Sequence, residues 1–236
     1  MIPDHTRLHI GSLLFEGIDQ IDLTGPFEVL SRIPNSTYRI YGKTAEPVRD
    51  LKGLRLTPDA ALADAPRLDI LHVPAGFGQE ALMEDEQVLT WLKRQASGAR
   101  SVFSVCTGAL LCGAAGLLRG RRTTTHWASF FHLLPFFGAI PVNERVVVDG
   151  SWVFAAGVTA GIDGALRLAA ELRGDDAARA IQLHMVYAPE PPFDSGTPET
   201  APPAILENAR RSVASITAQR EATARRAAVK LGIAVP

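Results

Sequence analysis

The sequence predicts an α/β sandwich built on a mainly parallel sheet, with one antiparallel β-hairpin added to it. Three observations carry this. Short apolar runs alternate with helix-like segments through most of the first 186 residues of a 236-residue chain, and parallel strands need crossovers of that kind. Asp149-Gly150 stands between the β-rich runs VVV and SWVFA, where a two-residue turn with positive φ joins antiparallel strands. The run Ser101–Val105 ends abruptly at Cys106-Thr107-Gly108 and passes into a segment with apolar or small residues on every face, as a buried strand-to-helix elbow does.

Taken in order, Arg7–Phe15 (RLHIGSLLF) is the first strand and soon meets Gly17. Thr24, in Leu23-Thr24-Gly25-Pro26, is the expected cap of a helix over FEVLSRI. Tyr38–Tyr41 and Leu68–Val73 are further short strands, the second running into Pro74-Ala75-Gly76-Phe77-Gly78, which no regular element tolerates. Over Glu84–Ser97, Val88, Leu89, Trp91 and Leu92 recur at helical spacing, with acids in the first turn and Lys93 and Arg94 later, as the helix dipole prefers. Ala109–Leu118 is the buried helix after the elbow, and Gly174 separates two more helices, Ala160–Arg173 and Asp175–Val186.

Six prolines fall between Tyr187 and Leu206, which makes 187–206 a stiff, extended arm that wraps a surface. Residues 207–236 hold six basic and two acidic side chains and read as a solvated helix, too short for an independent domain. The expected organisation is one catalytic domain over 1–206, arm included, and a tail over 207–236 that catalysis does not need.

Composition limits the function classes. Apolar residues make up 47% of the chain and charged ones 21%, an ordinary globular balance that excludes general disorder and a fibrous body. A net charge of -1, from 24 basic and 25 acidic residues, supplies no field toward nucleic acid or an anionic membrane, so a small substrate or a protein partner is expected. Cys106 and Cys112 are the two cysteines of the sequence. They offer no disulfide framework and lack metal or C-x-x-C spacing, which suits a reducing cytoplasm. The N-terminus shows no small-residue cleavage site and no apolar run reaches about 18 residues, so an unprocessed, soluble chain is expected.

The elbow is the most informative place. A cysteine there stands at the carboxyl end of the sheet, beside helix N-terminal N–H groups whose partial positive charge favours the thiolate. Cys106 is therefore the candidate nucleophile, with burial as a small hydrophobe the competing reading. Cys112 lies in an apolar stretch and reads as core. Asp22 follows the first strand and reaches the same sheet edge if the strand order allows it; a capping role is the alternative, and Asp19 is the competing acid. Thr107 is either a partner for a nearby carboxylate or a helix-start residue. Ala75, Gly76 and Phe77 end a parallel strand and present N–H groups to developing negative charge. His126 and Trp127, after RGRRTTT, are candidates to line the pocket. The histidines form no H-E-x-x-H pattern, so no metal is expected. G-x-S-x-G, Walker and complete G-x-G-x-x-G motifs do not occur, which argues against serine hydrolases and nucleotide enzymes.

The segments QIDLTGPFEVLSR, VPAGFGQ, SVCTGALLCGAAGLLRGRRTTTHW, GVTAGIDGALRLAAELRG and AIQLHMVYAPEPPFDSGTPE, in this order, resemble the ThiJ/PfpI superfamily of class I glutamine-amidotransferase-like proteins, and within it the isonitrile-hydrating branch. The resemblance runs from about Leu8 to Pro203. It implies a flavodoxin-like sandwich, a homodimer, Cys106 as nucleophile, Asp22 as the acid that contacts it, and Thr107 in place of the histidine of the peptidase-like and amidotransferase-like relatives. It further implies addition to the carbon of a small-molecule isonitrile through a cysteine thioimidate, giving an N-substituted formamide with no cofactor. Ala75 stands where the family usually has glycine; it keeps its N–H for an oxyanion-type contact unless the position needs positive φ. Two other readings share the core: the sensor half of AraC-type transcription regulators, whose DNA-binding module the residues after Leu206 are too few to hold, and a cysteine enzyme acting on α-oxoaldehydes.

Overall fold

The apolar runs become the strands of a seven-stranded sheet in the computed structural model, which describes residues 2–234. In chain order these are β1 (Leu8–Leu13), β2 (Ser36–Gly42), β3 (Ala60–Ala61), β4 (Ile70–Val73), β5 (Ser101–Val105), β6 (Val146–Asp149) and β7 (Trp152–Ala155). Across the sheet they lie β6-β7-β5-β4-β1-β2-β3, all parallel except the β6/β7 hairpin. The five strands inside the two outer ones follow the flavodoxin-like order. Its switch point falls between β1 and β4, where open α/β sheets bind their ligands beyond the strand ends.

The helices are α1 (Gln20–Leu30), α2 (Gln79–Leu82), α3 (Glu86–Gly98), α4 (Gly108–Ala114), α5 (Phe130–Leu133), α6 (Ala160–Arg173), α7 (Asp175–His184) and α8 (Pro203–Lys230). They cover both faces of the sheet because side chains alternate along each strand. Phe103 and Val153 join α1, α6 and α7 in one buried cluster. Val102 and Phe154 join α3, α4 and the C-terminal half of α8 in the other. Each large side chain so buried stabilises the sandwich by about 1.5–3 kcal/mol.

Four local expectations need correction. Helix α1 starts at Gln20 rather than after Thr24: Asp19 Oδ1 accepts the Ile21 N–H at 3.4 Å, while Thr24, inside the helix, donates to Gln20 Oε1 at 2.7 Å. Asp22 is thus a helical residue. The hairpin loop is Gly150-Ser151, because Asp149 already pairs with Trp152, and Gly150 takes the positive φ of 62°. Helix α4 ends at Ala114, short of Leu118, with the chain turning at Gly116 (φ 74°).

The fourth correction is the largest. The proline-rich arm ends at Pro202, and its last four residues already belong to α8. That helix is no solvated tail, since Arg220, Thr223, Ala224, Ala227 and Ala228 form a buried stripe at helical spacing. Arg226 clamps Glu84 through two contacts of 2.8 Å, and the Arg225 guanidinium lies 4.9 Å from the Phe136 ring centre.

Candidate active site

Cys106 sits between β5 and α4 with φ of 56°, a left-handed conformation that a non-glycine residue holds only when its surroundings impose it. Two of those constraints are hydrogen bonds. The Cys106 N–H donates to the Ala155 carbonyl at 2.9 Å, and the Cys106 carbonyl accepts the Thr125 hydroxyl at 2.7 Å. A third is a close approach of backbone: a Cβ on Gly108 would lie 2.2 Å from the Val73 carbonyl oxygen, so only glycine lets α4 start this near the end of β4. The strain aims the thiol out of the sheet edge, and the residue is 8% exposed. Cys112, on α4, is fully buried, and burial pushes its thiol up to about 12.

Asp22 reaches the elbow from the first turn of α1. Its Oδ2 accepts the Ala75 N–H at 3.2 Å, its Oδ1 is buried without a hydrogen-bond partner, and the carboxyl and the Cys106 thiol act on one another electrostatically. Burial, and then the charge of Asp19, push the Asp22 carboxyl up to about 8, against the lowering effect of the Cys106 thiol and the Ala75 N–H. Pro26 has no N–H to offer the Asp22 carbonyl four residues back, and nearby the buried His72 ring meets the Ser12 and Tyr38 hydroxyls at Nδ1 and leaves its Nε2 without a partner. Burial holds that imidazole down to about 3, hence neutral.

The helix-end N–H groups do act on the thiol as expected, but they do not win. Burial and then the Asp22 charge raise the Cys106 thiol well above its ordinary range; the Thr107 and Val158 backbone and the Arg220 guanidinium pull the other way. Each charge therefore opposes the other, and the pair resists ionising twice.

Above the pair is a cavity of about 70 Å³ lined by Gly76, Phe77, Thr107, His126, Val158 and Arg220, among others. Of the residues singled out in the sequence, Gly76, Phe77, Cys106, Thr107 and His126 line this cavity, together with Asp19. Ala75 does not line the cavity. Its N–H is taken by Asp22, so it does not serve as the expected oxyanion donor. Gly76 is required by space, because a Cβ there would fall 2.4 Å from the Asp19 nitrogen. His126 Nδ1 accepts the Ala128 N–H at 3.3 Å, and burial with the nearby Arg220 charge lowers the ring to about 4, so it is neutral too. Trp127 lines a neighbouring groove of about 570 Å³ rather than the Cys106 cavity; Ala128, Val213 and Thr217 border both. Among the described residues, no three His, Cys, Asp or Glu side chains gather as a metal site would require.

The sequence reading missed the entire wall contributed by α8. The stripe at 220, 223, 224, 227 and 228 was its only signal, and four small or neutral residues beside one arginine make a faint one.

Comparison with known proteins fits this geometry. The chain is 50% identical over 226 residues to an isonitrile hydratase of Pseudomonas putida, covering 96% of this chain and 99% of that protein. It is 30% identical over 186 residues to the HTH-type transcriptional regulator GbdR of Pseudomonas aeruginosa, covering 75% of this chain but 50% of the regulator. A crystal structure of a ThiJ/PfpI family protein from Pseudomonas syringae superposes with a TM-score of 0.91 at 36% identity, over 94% of this chain and 93% of that one. With the DJ-1/PfpI family profile matching residues 9–171, the chain belongs to the DJ-1/PfpI family.

Proposed function

We propose that the protein hydrates isonitriles to N-substituted formamides with Cys106 as nucleophile and Asp22 as proton donor. The observation that carries this reading is the near full-length 50% identity to a protein of that activity, in a chain whose elbow cysteine is coupled electrostatically to a buried carboxyl. In the singly ionised pair, Cys106 sulfur attacks the terminal carbon of R–N≡C, and the Asp22 carboxyl gives its proton to that carbon. The product is a thioimidate, R–N=CH–S–Cys106, with Asp22 left as carboxylate. Asp22 relays a proton from the attacking water to the nitrogen as the hydroxide adds to the C=N carbon, and takes up the hydroxyl proton as the adduct collapses. Collapse expels the Cys106 sulfur and releases R–NH–CHO, restoring the starting pair and consuming one water. No cofactor enters this sequence.

The cavity suits a linear, uncharged isonitrile group, and the adjoining groove past Trp127 and Val213 has room for the N-substituent. A homodimer belongs to the same reading: Leu183, Val186 and Phe193, on and just after α7, are each about 80% exposed, and a second copy is the partner we assign to them. Sedimentation at micromolar concentration as a monomer would overturn that assignment. The reaction is tested by incubating the purified protein with an aryl or alkyl isonitrile and measuring formamide. Formamide formation that follows protein concentration is expected; its absence with several isonitriles sinks the proposal. In that event α-oxoaldehydes are the next substrates to try with the same cysteine.

A further inference from the structure

Arg220 is a buried cation in an unusual setting. It lies on α8, outside the segment that the family profile covers, and is 5% exposed. One Nη2 donates to the Gly76 carbonyl at 3.0 Å, and the guanidinium lies 5.9 Å from the Phe77 ring centre. Its Nε is buried with no hydrogen-bond partner. Among the described residues no carboxylate stands within ion-pairing distance of it; Glu80, the acid whose charge acts on it, accepts the Thr223 hydroxyl through Oε1 and leaves Oε2 buried without a partner. Burying a charge without a counterion is unfavourable, so the position requires a negative partner. Arg220 shares the cavity with Cys106, and each of the two favours the charged form of the other.

Building on the reaction proposed above, we infer that Arg220 is the counterion of the Cys106 thiolate and places the single negative charge of the Cys106–Asp22 pair on sulfur rather than on the carboxylate. The other titratable groups facing the pair cannot do this. Asp19, the cap of α1, is an acid whose charge acts on Asp22, and the His72 and His126 rings are neutral. With the charge on sulfur, the nucleophile is ionised while Asp22 keeps the proton it must deliver. α8 is thus part of the reaction centre.

The test is a thiolate titration of the full chain by ultraviolet absorbance, taking each protein minus the same protein carrying Cys106→Ser. Cys112 stays silent because its thiol titrates near 12. Arg220→Gln and Arg220→Met are expected to raise the Cys106 midpoint by about one pH unit or more. Arg220→Lys, which keeps the charge but not the fork, is expected to fall measurably between them and the parent. Thermal unfolding identifies which variants are folded. An unmoved midpoint in any folded one of the three overturns the assignment. The titration uses no isonitrile, so a parent that makes no formamide yet shows these shifts would remove the substrate reading and leave Arg220 as counterion. Formamide production with unmoved midpoints would do the reverse.

Discussion

The Ala75 N–H donates to Asp22 Oδ2 at 3.2 Å, joining the loop after β4 to the first turn of α1 across the switch point of the sheet. This bond holds the carboxyl under the Cys106 thiol and uses the amide that would otherwise face the substrate. In the proposed reaction, charge developing on the isonitrile carbon is quenched by the proton that Asp22, pushed up to about 8, carries at neutral pH. Asparagine keeps the acceptor for Ala75 and loses only the proton.

Asp22→Asn is therefore expected to lower formamide turnover by about 10²-fold or more, the usual scale for general acid–base catalysis, and to fold normally near neutral pH. In the parent, turnover should fall as pH rises through about 8, where Asp22 gives up the proton it must deliver, and the Asn variant should lose that dependence. Asp19→Asn is the comparison, since Asp19 caps α1 and acts on Asp22 only through its charge, so its loss should lower the pH at which turnover changes while keeping the proton donor. An active Asp22→Asn enzyme beside an inactive Asp19→Asn enzyme would reassign the acid; two active variants would pass the proton to water or backbone.

The two thiols should separate cleanly. Cys106→Ala is expected to abolish formamide production, and Cys112→Ala, deep in α4, to leave it nearly unchanged. With a limiting alkylating agent, mass spectrometry should find Cys106 labelled first. Labelling of Cys112 first would contradict the placement of both residues.

Most of this fold was legible because its strands are short apolar runs punctuated by Gly and Pro, and because Cys106-Thr107-Gly108 breaks one of them at a place only an elbow explains. Cap assignments were harder to read. Asp19 and Thr24 are both good caps, and the choice depended on Asp22 being drawn inside, under Cys106. Ala75 was misread because an N–H at a strand end looks the same whether it faces substrate or a carboxylate. α8 was missed because its docking surface is alanine and threonine, and its one large buried residue is an arginine, which sequence patterns assign to solvent.

That misreading changes what truncation should do. A solvated tail would be removable. The observed α8 instead covers part of one core cluster with Ala224, Ala227 and Ala228 and closes the cavity with Arg220. Deleting everything after Arg211 should abolish turnover and lower the thermal midpoint. A truncated chain that melts like the parent and turns over within a few-fold of it would show that α8 shapes neither core nor site.

The buried titratable groups set a stability profile whose sign can be worked out. Asp22 has its carboxyl raised from 3.8 to about 8 on folding, so between those values the folded chain holds a proton the unfolded chain has lost. Stability from this group is fully present below pH 4, falls as pH rises, and is gone above about 8. His72 and His126 act oppositely. They are lowered from 6.5 to about 3 and about 4, so their burial penalises folding below pH 6.5 and the penalty lifts as pH rises to that value. From pH 4 to 6.5 the two effects oppose each other; from 6.5 to 8 the Asp22 effect acts without them. Stability, and with it the thermal midpoint, should therefore peak near pH 6.5 and decline toward 8, the loss of stability being on the order of a few kcal/mol at most. Asp22→Asn removes the declining part and keeps the rise, so its midpoint should approach and then exceed that of the parent as pH goes from 6.5 to 8. Melting curves that stay parallel across that interval would mean that Asp22 ionises in the folded protein as readily as in water, and the proton assigned to it would have to be held elsewhere.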